Sequence, residues 1–356
     1  MGIRERRSAP GLGLGAFLVG LGSGWLIFGS VRVTSNLFAW TLIFGGAMIS
    51  LSSLFSYFNR FSAVRGVTGG LVVGLIISMI ATAPFNFAVS TSGSYRATDT
   101  KTFTGPVLAK GIYLEVDNFN GPIQVSTWAR DEYSIELDIR AKGETQSEAE
   151  RHMEELDIEF RDTDDQGKKR LTLGYDIPPM AHSLYSITVR AYLPGEAVIE
   201  LDLGSNNGGI SLEDLGGGVI YLSTSNGALS FENVRVERVR ASSSNGGIFG
   251  DLSAKYADFS TSNGRIELSL SSTVSGEYHL GTRNGWIELD LSSSAQVGYD
   301  IDLSTSNGGI DIDLPNLDYR IDQNTRKRVV TEGFSGKLIQ ITIHASTSNA
   351  GIDVGT

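Results

Sequence analysis

The residues best placed to do chemistry are carboxylates that recur at fixed distances after an asparagine. Four or six residues after successive asparagines stand Glu213, Glu232, Asp251, Glu267, Glu288, Asp290, Asp311, Asp313 and Asp353. Carboxylates held side by side have two uses. They take a hard divalent cation through oxygen ligands, or a pair acts as acid and base in glycoside cleavage. Glu288, Asp290, Asp311 and Asp313 are the candidate cation face, with weakly held calcium as the candidate ligand. The preferred reading is a solvated face, since regular alternation produces such a column by itself and two unit charges about 5 Å apart in water repel by only roughly 1 kcal/mol. The four histidines, His152, His182, His279 and His344, share no motif. His279 and His344 each lie five residues before an asparagine, an outward position, and read as surface residues. Nucleophile-elbow, P-loop, zinc and EF-hand patterns are all missing, so no catalytic residue and no cofactor is expected, weak calcium on the acidic face being the one candidate.

These carboxylates are positioned by a repeat. Asparagine precedes glycine at Asn207, Asn226, Asn245, Asn263, Asn284 and Asn307, and Asn349 precedes Ala350 and Gly351. The steps are 19, 19, 18, 21, 23 and 42 residues, the last equal to two steps. A period of about 20 residues marks a stacked architecture. Three residues after each asparagine sits an aliphatic: Ile210, Leu229, Ile248, Ile266, Ile287, Ile310 and Ile352. Two before it sits a hydroxyl: Ser205, Thr224, Ser243, Thr261, Thr282, Thr305 and Thr347. These offsets share one parity on each side of the turn, so each repeat is two short strands with one dry face and one wet face. Leu114–Val125 fits the same frame around Asn120 as an isolated first rung. The asparagine amides are expected to bond rung to rung, the hydroxyls to bond turn backbone, and the glycines to supply a positive φ.

Asn-Gly between alternating runs is also a hairpin signal, which makes an antiparallel β-sandwich the alternative. The same residue classes at the same offsets favour a β-solenoid, similar to a parallel β-helix, because stacking makes each rung cover the last. Residues 130–193 form a different, inserted module. Tyr133–Arg140, Asp157–Phe160, Arg170–Tyr175 and Tyr185–Leu193 alternate like strands, and Ser147–Leu156 reads as a helix. Residues 315–336 read as an irregular loop before a final rung at Asn349.

The rest of the chain differs in kind. Gly11–Ser30, Leu37–Phe58 and Val67–Val89 are free of charge and long enough to cross a hydrocarbon core of about 30 Å. Residues 1–90 therefore read as an anchor of three transmembrane helices, and 91–104 as a polar linker. Arg4, Arg6, Arg7, Arg60 and Arg65 flank the spans on one side and only Arg32 lies on the other, which predicts a cytoplasmic N-terminus and an extracytoplasmic C-terminal domain. Residues 1–90 hold six arginines and one glutamate; the remainder holds 23 basic and 39 acidic residues, a net charge of −16. So acidic a domain argues against nucleic acid as partner. The chain has no cysteine, which excludes disulfides and Cys-metal sites.

The rungs Thr224-Ser225-Asn226-Gly227, Thr261-Ser262-Asn263-Gly264 and Thr305-Ser306-Asn307-Gly308, with the module at 130–193, resemble the prokaryotic putative adhesin domain over residues 105–356. That family is a domain of unknown function from envelope proteins. The resemblance implies placement outside the cytoplasm and carries over no catalytic residue. The expectation is a membrane-anchored, non-enzymatic cell-surface protein whose solenoid serves adhesion, scaffolding or contact with an envelope polymer or membrane protein. An accessory or sensor subunit of an envelope-stress system is the second reading, and a glycan-cleaving β-helix enzyme the third.

Overall fold

Short alternating runs become strands because every second side chain is buried while its neighbours stay in water. The computed structural model describes residues 95–177 and 179–356, which fall within one compact unit, Tyr95–Thr356. In chain order its regular elements are β1 (Tyr95–Pro106), β2 (Gly111–Asn118), β3 (Ile123–Trp128), β4 (Glu132–Gly143), α1 (Gln146–Glu155), β5 (Asp157–Asp165), β6 (Lys168–Asp176), β7 (Tyr185–Pro194), β8 (Val198–Ser205), β9 (Ile210–Glu213) and β10 (Gly216–Thr224). There follow β11 (Leu229–Ser243), β12 (Ile248–Thr261), β13 (Ile266–Leu270), β14 (Gly276–Thr282), β15 (Ile287–Leu291), β16 (Val297–Thr305), β17 (Ile310–Ile312), β18 (Leu317–Gln323), β19 (Arg326–Thr331), β20 (Ile339–Thr347) and β21 (Ile352–Gly355).

Each rung contributes a strand before its asparagine turn and one after it. The leading strands stack in parallel in the order β2, β8, β10, β11, β12, β14, β20, β16. The trailing strands stack as β3, β9, β11, β12, β13, β15, β21, β17. Strands β11 and β12 serve both stacks because each continues round the corner from one rung into the next. The inward aliphatics Ile123, Ile210, Leu229, Ile248, Ile266, Ile287, Ile352 and Ile310 run in register up the trailing stack, and all are buried. This large sheet fits a solenoid. Its parallel register removes the antiparallel sandwich as an account of the rungs.

The ends are built differently. The module at 130–193 closes the first end: β7, β4 and β1 extend the trailing stack, and the β5–β6 hairpin extends the leading one. Helix α1 starts at Thr145, whose hydroxyl accepts the Glu148 amide, an N-cap bond. The two halves of this cap meet at Asp162. Its carboxylate accepts the Tyr133 hydroxyl at 2.6 Å and the Lys169 ammonium at 2.9 Å. Burial opposes ionisation of Asp162, yet these two hydrogen bonds and the Lys169 charge outweigh it and lower its pKa. The bond to Asp162 raises the pKa of Lys169 in turn. At the other end the antiparallel hairpin β18–β19 covers the edge of β16.

Five expectations need correction. First, Asn349 does not follow Asn307 in the stack: β20 and β21 insert between the rungs of Asn284 and Asn307. A spacing of two steps is silent about which two rungs a strand enters. Second, residues 315–336 are largely a hairpin, because Leu317–Gln323 and Arg326–Thr331 supply paired strands. Third, Tyr95–Pro106 is a 12-residue strand on β4, where a linker was read; β4 leaves an open edge that it fills. Fourth, among the described residues Gly121 is the one glycine directly after a turn asparagine with positive φ, at 122°. Fifth, the described residues are mainly β with one α-helix, and no helix among them is long and apolar enough to cross a membrane. The segments read as transmembrane, 11–30, 37–58 and 67–89, lie outside the described residues. The three-helix anchor, the integral membrane partnership and the multi-pass cell-membrane location are therefore withdrawn.

Two outcomes follow from this packing. Ile287 is fully buried between Ile266 and Ile352, so Ile287→Ala should cost about 2–5 kcal/mol in urea unfolding, and the exposed Glu288→Ala within about 0.5 kcal/mol. Asp162 is stabilised as the carboxylate, so its contribution is present above the unfolded carboxyl pKa near 3.9 and lost as pH falls through the lower folded value. Asp162→Asn should lower the melting temperature at neutral pH and flatten its acid limb. A limb as steep as that of the parent would disprove the assignment.

Candidate functional site

What each outer face presents is set at the turns. From the rung of Asn207 to that of Asn284 the buried hydroxyl accepts the N–H of its own glycine three residues on and donates to the glycine carbonyl of the rung before, while Thr347 and Thr305 donate to Gly285 O and Ala350 O. Thr224 Oγ1 accepts from Gly227 N (3.1 Å) and donates to Gly208 O (2.9 Å). Ser243, Thr261 and Thr282 repeat both bonds. In the first rung Asn118 takes the hydroxyl's place, its amide donating to Gly121 O and Ile187 O. The sequence frame passed over it because it is not a hydroxyl.

Outside this column the asparagine amides form the expected ladder. Asn226 Nδ2 donates to Asn207 Oδ1, Asn245 to Asn226, Asn263 to Asn245, Asn284 to Asn263, Asn349 to Asn284 and Asn307 to Asn349, all at 2.7–2.9 Å. Asn120 stands apart and donates to Tyr185 O. The rung glycines are required by closeness of approach. A Cβ at Gly227 would overlap the carbonyl of Gly208, and one at Gly246 that of Gly227.

Five residues before each asparagine an outward column runs along the leading stack. Its far half reads Arg240, Asp258, His279, His344, Asp302, each in register with the next. The two imidazoles stack with centroids 5.0 Å apart and planes at 20°. His279 Nε2 lies 2.7 Å from Glu277 Oε1. Arg240 pairs with Asp258 at 2.9 Å and Arg326 with Asp302 at 3.5 Å. Ser260, Ser304 and Ser346 complete an open groove of about 470 Å³. The sequence put both histidines in one column, but the misplaced rung order kept them from being read as neighbours.

The trailing face carries the predicted carboxylates. Glu213 and Glu232 are in register on neighbouring strands. Glu267, Glu288, Asp353 and Asp311 follow one another on four consecutive strands. Glu288, Asp290, Asp311 and Asp313 do converge, with Asp353 between the two rungs, around a shallow hollow of about 320 Å³. Arg265 pairs with Glu267. Among the described residues no group of three or more His, Cys, Asp or Glu is arranged to hold a metal ion.

The histidine groove lacks the carboxylate spacing of glycoside cleavage. Asp258 and Asp302 are three strand steps apart, about 14 Å at the usual spacing. The paired carboxylates of glycoside cleavage sit about 5–9.5 Å apart. Both aspartates are already engaged by arginine. The arrangement offers hydroxyls, carboxylates, imidazoles and amides in stripes, which suits hydrogen bonding to an extended partner.

Residues 113–327 match the Toastrack DUF4097 family. The chain belongs to that family. Toastrack DUF4097 is a domain of unknown function, and the match ends before β20 and β21. A search of curated proteins finds no match. Among solved structures the chain is similar to a putative cell adhesion protein from Clostridium sporogenes, at 10% identity and TM-score 0.35, covering 72% of this chain and 99% of that one. It is also similar to a putative adhesin from Bacteroides fragilis, at 11% identity and TM-score 0.32, covering 72% and 97%. At such values these likenesses lend no residue roles to this Toastrack domain.

The turn geometry ranks two substitutions. Thr282→Val leaves the Gly285 amide and the Gly264 carbonyl unpaired in a buried place, at about 1–3 kcal/mol for each group. Asn284→Ala removes ladder bonds in water, worth about 0.5–1.5 kcal/mol each at most. Urea midpoints should therefore fall further for Thr282→Val. The reverse order would mean that the ladder, and not the buried hydroxyl, holds the rungs.

Proposed function

We propose that this Toastrack domain is a non-enzymatic binding module of adhesion or scaffolding type, which grips an extended polar polymer along the solenoid axis. The observation that carries this reading is the register of the outward columns. Asp258, His279, His344 and Asp302 follow one another along one stripe, with Ser260, Ser346 and Ser304 beside them. A strand spacing of about 4.8 Å repeats this pattern on the length scale of a sugar unit. Hydroxyls, carboxylates and imidazoles pair with sugar hydroxyls as donors and acceptors. Many such contacts in series give useful affinity without a deep pocket.

The purified domain should be retained on at least one member of a panel of immobilised polysaccharides. His279→Ala with His344→Ala should weaken retention by about tenfold or more, the loss of one good contact at 1.4 kcal/mol. Glu213→Ala, on the other face, should leave it unchanged. The length of the polysaccharide should be the same after prolonged incubation. Shortening of the polymer would establish an enzyme in place of a binding module, and retention on no polysaccharide would overturn the reading.

A further inference from the structure

The inserted strand pair is the one part of the solenoid that chain order does not explain. The rungs of Asn284 and Asn307 are consecutive in sequence, yet β20 and β21 lie between them. The insert reproduces rung chemistry on both flanks. Asn349 donates to Asn284 and accepts from Asn307, Thr347 donates to Gly285 O, and Ala350 O accepts Thr305. The two rungs it separates carry the same groups: Thr305 and Asn307 match the bonds that Thr347 and Asn349 make to Gly285 and Asn284. The slot is therefore compatible with two states, filled and closed, built from the same donors and acceptors.

The outer contacts of the insert bring like groups together on both faces. On the trailing face Asp353 lies in register between Glu288 and Asp311. On the leading face His344 stacks on His279. The carboxylates directly opposite one another at Asp353 destabilise those strand pairs. Arg240 and Asp258, by contrast, form an ion pair across neighbouring strands. The insert also carries Ala350 where the other rungs have glycine, the residue that the close approach of rungs favours. What holds it is apolar: Ile341, Ile343, Ala345, Ile352 and Val354 are all buried. The path into the slot runs through Glu332–Leu338, with Gly333 at φ 70° and Leu338 exposed.

We propose that residues 339–355 form an exchangeable arm, and that the same residues of a second copy of this chain fill the slot, joining two domains by reciprocal strand exchange. The occupant is specified by fit, since the pattern that fills the slot in the single chain is this chain's own. Exchange of an identical element through a hinge needs no new interface. The proposal is independent of polymer binding, and its test involves no ligand.

The absence of cysteine makes introduced thiols unambiguous. Gly281 and Ser346 are in-register neighbours on β14 and β20. A Cβ at Gly281 meets nothing within 4 Å, and the spacing of paired strands, about 4.8 Å, lies within the span of a disulfide. Full chains carrying Gly281→Cys are mixed with full chains carrying Ser346→Cys and gently oxidised. The expected product is a linked pair joined 281 to 346, at a yield about tenfold or more above that of Gly281→Cys mixed with the outward control Ser223→Cys, because exchange holds the two thiols at high effective concentration. Ser304→Cys with Ser346→Cys probes the opposite flank of the slot and serves if Gly281→Cys fails to fold. The double variant Gly281→Cys with Ser346→Cys in one chain reports the filled slot within a single molecule. A yield between chains no higher than the control, with the link inside one chain complete, would overturn exchange. Failure of the link inside one chain would overturn the insertion itself.

Discussion

The buried hydroxyl at each turn is the contact on which the rest of the molecule depends. A turn exposes backbone groups that a solenoid must bury, and an unpaired buried group costs about 1–3 kcal/mol. Thr224, Ser243, Thr261 and Thr282 meet this demand twice, accepting one glycine N–H and donating to the glycine carbonyl of the rung before. The bond between rungs draws the backbones so close that a Cβ would overlap the neighbouring carbonyl. Glycine follows from that closeness, the asparagine ladder follows from the fixed spacing, and the outward columns follow from both.

Once rungs are locked in register, end effects decide what the solenoid can touch. The first end is closed by a mixed module held through Tyr133, Asp162 and Lys169. At the other end the leading edge is covered by β18 and β19, while the trailing edge is the three-residue β17, which carries Asp311 and is followed by Asp313. A short, charged edge resists pairing with another chain. Two of the four carboxylates read as a cation face thus have an ordinary structural use.

Columns were legible in the sequence and their order was not. Parity and period fix which residues face in, so the inward aliphatics, the hydroxyls and the ladder of asparagines could be read from spacing. Spacing carries no information on which rung neighbours which, and Asn349 was assigned to the end of the stack for that reason. The same error hid the His279–His344 pair. The hairpin at 317–331 was missed because Tyr319, Ile321 and Val329 alternate among charges too numerous to signal a buried face. Asn118 was missed because an amide took a hydroxyl's role.

A misplaced rung changes the energetics as well as the map. In most stacked repeats each unit touches only its neighbours in sequence, so folding spreads locally. Here the Asn349–Asn284 contact spans 65 residues, against 18 to 21 for the Asn263–Asn245 and Asn284–Asn263 contacts. Closing a loop about three times longer costs roughly 1 kcal/mol more. Burying an aliphatic side chain contributes about 1.5–3 kcal/mol, and the insert buries Ile341, Ile343, Ile352 and Val354. Burial exceeds the loop term several-fold, which is why the strands enter despite the like charges around Asp353. The entropic term acts on rate as well: the rung of Asn307 and its covering hairpin reach their final neighbours only after residues 339–355 arrive. The far end of the solenoid is thereby made to fold as one unit, although its repeats taken singly would add one at a time.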